Sequence, residues 1–143
     1  MIESPKPAVS LASLMTPSKT VTIDFPGYKG MTVDLCYLAR EELVNLRKKC
    51  VTNKFSKKTR QPEEILDEDK FLVEYCKAVI KNWSGLKYRY LEELLLVDIS
   101  DLDSEDALLY TQDNAELLMK NSGDFDTWVT ETVSELENFT GNK

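Results

Sequence analysis

Apolar and polar residues alternate from Thr20 to Phe25, with Val21, Ile23 and Phe25 on one side, and the period of two resumes from Met31 to Cys36. Pro26-Gly27-Tyr28-Lys29-Gly30 between them supplies turn residues, so the pair predicts a β-hairpin. The rhythm then changes. Leu43, Leu46 and Cys50 recur at helical spacing and predict a first helix over about residues 40–50. Glu41 and Glu42 fall in its first turn and Arg47, Lys48 and Lys49 in its last, as the helix dipole favours. Leu38 can staple onto Leu43 across its start. Residues 52–61 carry one large apolar side chain, Phe55, among Lys54, Lys57, Lys58 and Arg60, and are expected to be a mobile loop.

A second helix is predicted from Asp67, where Asp67, Glu68 and Asp69 sit at the positive end. Its stripe is Leu72, Tyr75, Cys76, Val79, Ile80 and Trp83, and Gly85 is the natural stop. The apolar run 90–97 fits helix or strand, with Glu92, Glu93 and the leucines favouring a short helix, and 99–107 reads as an acidic loop. Thr111 should cap a third helix to about Asn121, with Ala115, Leu118 and Met119 inward, and Ser122-Gly123 should break it. A last helix over about residues 125–139 follows, carrying Phe125, Trp128, Val129, Val133, Leu136 and Phe139. The expected fold class is mainly α: a small helical domain of about four to five helices with a short N-terminal β-hairpin. Residues 1–19, with Pro5, Pro7, Pro17 and several serines, read as a flexible arm, 20–140 as a single mainly helical domain, and 141–143 as a tail.

Composition supports a folded domain: of 143 residues, 42% are hydrophobic and 30% charged. A chain of this length buries enough surface to need neither disulfide nor metal. Cysteines at 36, 50 and 76 form no CxxC pair, and reduced thiols in a core are expected. No stretch approaches the ~20 apolar residues of a membrane span, and residues 8–15, preceded by Glu3, make a poor signal peptide, so no membrane is expected as partner.

Candidate chemistry is thin. The chain has no histidine, which removes the commonest general base and metal ligand. Ser84-Gly85-Leu86-Lys87 matches S-x-x-K, but neither companion motif is present. A calcium loop counted from Asp101 would need glycine sixth and glutamate twelfth, where Asp106 and Gln112 stand. No phosphate-binding glycine pattern runs through Gly27, Gly30, Gly85, Gly123 and Gly141. The expectation is therefore no enzyme, no catalytic residue, no cofactor and no metal.

Charge redirects attention to binding. The net charge is -7, yet Arg40, Arg47, Lys48, Lys49, Lys54, Lys57, Lys58 and Arg60 cluster against only Glu41 and Glu42. From Gln61 onward twenty acidic residues face seven basic ones. The candidate partner-binding residues are Arg47, Lys48, Lys49, Lys54, Phe55, Lys57, Lys58 and Arg60. The belt can be a solvated helix end and loop, a dock for an acidic protein surface such as a neighbouring copy, or a set of phosphate contacts. No nucleic-acid module surrounds it and the rest of the chain repels a polyanion, so nucleic acid is not an expected partner.

Tyr37-Leu38-Ala39-Arg40-Glu41-Glu42-Leu43, Ala78-Val79-Ile80-Lys81-Asn82-Trp83-Ser84-Gly85-Leu86, Tyr110-Thr111-Gln112-Asp113-Asn114-Ala115-Glu116-Leu117-Leu118 and Phe125-Asp126-Thr127-Trp128-Val129 follow one another in order. As a set spanning roughly residues 20–140, they resemble the tail assembly chaperones of long-tailed bacteriophages. The resemblance implies a mainly α-helical protein of the host cell cytoplasm that is not part of the finished virion. It implies binding to the tape measure protein and the tail tube protein, self-association, and in many members a longer frameshifted form. The family brings no catalytic residues. A small non-enzymatic adaptor or host-takeover protein, of phage or bacterial origin, is the alternative expectation.

Overall fold

The computed structural model describes residues 8–140. The first seven residues of the expected arm and the expected tail lie outside them. The chain is α/β, 44% helical and 23% strand, and not the mainly α domain that the periodicity and the resemblance led us to expect.

A four-residue helix α1 (Leu11–Leu14) precedes strands β1 (Ser18–Asp24) and β2 (Thr32–Leu38), which form the expected antiparallel hairpin, β1 starting two residues before and β2 ending two residues after the predicted bounds. Helix α2 (Arg40–Lys49) follows as predicted. Next come strands β3 (Val51–Phe55) and β4 (Pro62–Leu66), then α3 (Glu68–Val79), β5 (Ile80–Ser84) and α4 (Tyr88–Leu94). Helices α5 (Gln112–Asn121) and α6 (Gly123–Ser134) and a 3-10 turn (Leu136–Phe139) are the last elements among the described residues. The strands make a three-stranded antiparallel sheet in the order β1-β2-β5 and a separate β3-β4 pair.

Three corrections account for the change of class. The second predicted helix ends at Val79, and Ile80–Ser84 runs as a strand beside β2. Ile80 and Trp83 are three residues apart and would face opposite sides of a regular strand. Between Asp34, opposite Asn82, and Leu35, opposite Ile80, the register shifts and leaves Lys81 of β5 without a partner, and that bulge lets Ile80 and Trp83 both be buried at a helical spacing. The expected mobile loop at 52–61 is a hairpin, Val51 opposite Leu66 through Phe55 opposite Pro62. Neither face of this hairpin is buried, so no alternation of apolar residues announces it. The last helix stops at Ser134, and Phe139 reaches the core from the 3-10 turn while Leu136 stays exposed.

Thr111 caps α5 as predicted, and Asp67, expected only as an acid at the helix start, caps α3. The Asp67 side chain accepts from the Lys70 N–H at 3.1 Å, and the Thr111 hydroxyl from the Asn114 N–H at 3.0 Å. Ser122 is a joint: its N–H closes α5 on Leu118 O, and its hydroxyl accepts from the Phe125 N–H at the start of α6. The core lies where α3 and α6 pack on β2, around Val33, Leu35, Ile80, Trp83, Phe125 and Val129. Polar atoms inside it are paired. Trp83 Nε1 donates to Leu108 O at 2.9 Å, Tyr110 Oη to Ile80 O at 3.1 Å, and Tyr90 Oη to Lys29 O at 2.6 Å.

Candidate partner-binding surface

Helix α2 carries Leu43, Leu46 and the following Cys50 at helical spacing, but only Leu46 and Cys50 are buried. Leu43 and Val44 are 40% and 43% exposed. They form one wall of a groove of about 650 Å³. Leu66 at the end of β4 and Phe71, Leu72 and Tyr75 of α3 line it further, and Met119, Asp126 and Thr130 from α5 and α6 also border it. Phe71 and Tyr75 stack with ring centroids 5.4 Å apart, one helical turn from each other. Burial pushes the Tyr75 phenol above its ordinary value, with the Thr130 hydroxyl opposing and Asp126 and Cys76 adding to the rise. Arg40 and Arg47 on α2 and Glu68 and Asp126 opposite place charges of both signs on the lining of an otherwise apolar groove. Apolar surface with a few charges is the chemistry of a groove that accepts an amphipathic helix.

The structure divides the predicted belt. Arg47 lines the groove from the last turn of α2, and Lys48 and Lys49 follow it on that turn. Lys54 and Phe55 end β3, Lys57 and Lys58 lie in the connecting turn, and Arg60 adopts a left-handed φ of 57°. All eight are exposed, and no ion pair among the described residues involves them. Sequence reasoning missed these groove residues: Leu43 and Tyr75 read as core because apolar residues at helical spacing do so, and Val44 and Phe71 were not singled out. The available signal was in α2 itself, whose adjacent Leu43 and Val44 cannot both join the stripe of Leu46 and Cys50.

The acidic loop between α4 and α5 is tied to itself. Asp98 Oδ1 accepts from Ser100 N at 3.0 Å and Asp103 Oδ1 from Glu105 N at 2.9 Å. Glu105 pairs with Lys87 at 2.7 Å and Arg89 at 2.9 Å, and the Lys87 bond holds its carboxyl below the usual range. Lys87 is the lysine of the S-x-x-K match, and its amine is committed to a carboxylate. No group of three or more His, Cys, Asp or Glu side chains among the described residues is placed to hold a metal ion.

Comparison with protein-family models, curated proteins and solved structures returns no match to this chain.

The three cysteines are free and buried, and burial pushes the Cys76 thiol from 9.0 up to about 12. Thiolate is the reactive form, so native protein should resist alkylation and all three thiols should appear together on unfolding. A folded thiol that holds its proton more tightly than the unfolded one contributes stability that is complete below 9.0 and lost as pH rises towards 12. Urea denaturation should show stability falling across that window, with Cys76 contributing up to about 1.4 kcal/mol per pH unit. Cys76→Ala should flatten the slope, and an unchanged slope would place the thiol's titration elsewhere.

Proposed function

We propose that this chain is a tail assembly chaperone of a long-tailed bacteriophage. In this reading it binds the tape measure protein in the host cell cytoplasm and assists tail tube subunits to polymerise around it. It catalyses nothing and leaves before the virion is complete. The observation that carries the reading is the groove between α2 and α3, with Leu43, Val44, Phe71 and Tyr75 beside charged residues of both signs. A long helix with apolar stripes aggregates when bare, and a holder must offer it apolar surface while keeping the complex soluble. The groove supplies the first requirement and the net charge of -7 the second.

The residues that carry the family resemblance support a division of labour. Trp83, Gly85, Leu86, Leu118 and Phe125 belong to the β5 edge, the turn after it and the helical core. They build the frame, while Arg40 and Leu43 of the same set lie on the α2 face that lines the groove.

Co-expression tests the proposal. An insoluble tape measure fragment should become soluble alongside this chain, and no rescue would overturn the reading. Leu43→Asp with Val44→Asp changes side chains that are 40% and 43% exposed, and circular dichroism checks that the variant folds. That double variant should nevertheless lose the rescue. Rescue that survives it would move the contact off the groove. A coding sequence lying between a tail tube gene and a very long tape measure gene would separate the chaperone from a small adaptor.

A further inference from the structure

Helix α1 is apolar and bare. Leu11, Leu14 and Met15 fall at i, i+3 and i+4, which puts them on one side of the turn with Ser13 opposite. The turn is already formed: Met15 N donates to Leu11 O at 3.1 Å and Ser13 Oγ to Ser10 O at 2.7 Å. Yet Leu11 is 72% exposed and Leu14 66%, and no residue of α1 is buried. Nothing charged stands between Ala8 and Pro17 to hold such a segment in water.

The groove between α2 and α3 is one wall away. The chain after α1 is pinned where Ala39 N donates to Pro17 O at 2.9 Å, one residue before α2 begins. Met15 and Pro17 line a second cleft against α2, and Arg40 and Val44 border both that cleft and the groove. Three residues of chain separate Leu14 from the Pro17 anchor, a reach of about 10 Å. Leu43 lies four residues along α2 from Ala39, a rise of about 6 Å. The leucines of α1 therefore reach the groove with the anchor left in place.

We infer that α1 is a strap for the groove: turning about Thr16 and Pro17, it crosses Val44 and lays Leu11 and Leu14 against Phe71 and Tyr75. A segment tethered this close meets the groove at an effective concentration on the order of millimolar, so a modest preference keeps it there. The strap offers the groove the same apolar stripe as a partner helix, and the partner must displace it. The partner's affinity falls in proportion to the fraction of molecules whose groove stands open. The inference rests on the groove's being a helix-binding site, as proposed above, but its test uses the chain alone.

Nuclear Overhauser effects between the Leu11 and Leu14 methyls and the Phe71 and Tyr75 rings should be seen in the full chain. They should persist on about tenfold dilution, because the contact lies within one molecule. Leu43→Asp with Val44→Asp should abolish them. An apolar dye, anilinonaphthalene sulfonate, gives a second readout of opposite sign for the two possibilities. If the leucines merely stand in solvent, Leu11→Ser with Leu14→Ser removes apolar surface, and dye binding falls or stays the same. If they cover the groove in about nine molecules of ten, the same variant tightens dye binding about tenfold.

Both serine substitutions fall on exposed side chains, and circular dichroism checks that the variant folds. Absent Overhauser effects, effects that vanish on dilution, or dye binding that fails to tighten would each overturn the strap. The two proposals fail separately. Rescue of a tape measure fragment without the Overhauser effects would sink the strap and keep the function. Overhauser effects and tighter dye binding without any rescue would keep the strap and sink the function.

Discussion

Replacing Gly85 by alanine is expected to cost about 3–5 kcal/mol of folding stability. Gly85 closes β5 at a φ of +74°, in the left-handed region that L side chains rarely adopt. Its neighbour across the turn is the backbone of Gly30. A Cβ at Gly85 would press into the Gly30 carbonyl oxygen, lie 2.9 Å from the carbonyl carbon and 3.3 Å from Met31 Cα. All three are backbone atoms, so no side-chain rotation relieves the clash. The β1-β2 turn would have to move, and it is anchored on both sides: Met31 is fully buried, and Lys29 O accepts the Tyr90 hydroxyl. Gly27 is the control. Its φ is +88°, but nothing lies within 4 Å of the added atom, so Gly27→Ala should cost only about 1–2 kcal/mol. Urea midpoints at constant slope measure both, and equal losses would show that backbone angle alone matters at Gly85.

Trp83→Ala is expected to cost about 3–5 kcal/mol and Trp128→Ala about 1–3 kcal/mol. From the sequence both rings are expected in the core, but the structure treats them differently. Trp83 is 5% exposed, stands edge-on to Tyr110 at 5.1 Å and donates its N–H to Leu108 O. Its loss leaves a cavity and strips the Leu108 carbonyl of this donor, which puts the cost at the upper end of the range. Trp128 is half-buried and packs edge-on to Phe25 at 4.7 Å, so water can fill part of the space it vacates. Trp83→Phe keeps most of the ring and removes the donor, and should cost about 1–3 kcal/mol. Equal losses for the two alanine variants would contradict the burial difference.

Elements with one buried face and a chemical start signal were legible in the sequence. Asp67 and Thr111 mark the starts of α3 and α5, and the alternation of Val21, Ile23 and Phe25 opens the β1-β2 hairpin. Ile80–Ser84 was not legible, because a bulge at Lys81 within it gave a strand the spacing of a helix. The β3-β4 hairpin was invisible for the opposite reason: it buries nothing, so no pattern was written into it. The basic belt was identified residue by residue, but its separation into a helix end and a hairpin tip depends on where α2 stops. Leu43 and Tyr75 were read as stripe residues and Val44 and Phe71 were not singled out, and only the positions of α3 and α6 relative to α2 leave the four partly open.

By itself the amino-acid order determined the local matters: helix starts, the first turn, the uneven charge, and the absence of histidine. These depend on neighbours a few residues away, where side-chain hydrogen bonds and helix dipoles act. Tertiary structure decided the rest. Whether an apolar stripe is covered, whether Ile80 pairs with β2 or continues a helix, and whether Gly85 has room for a methyl group all depend on residues distant in sequence. Burial and close approach belong to pairs of surfaces, and a single strand of sequence carries only one of each pair.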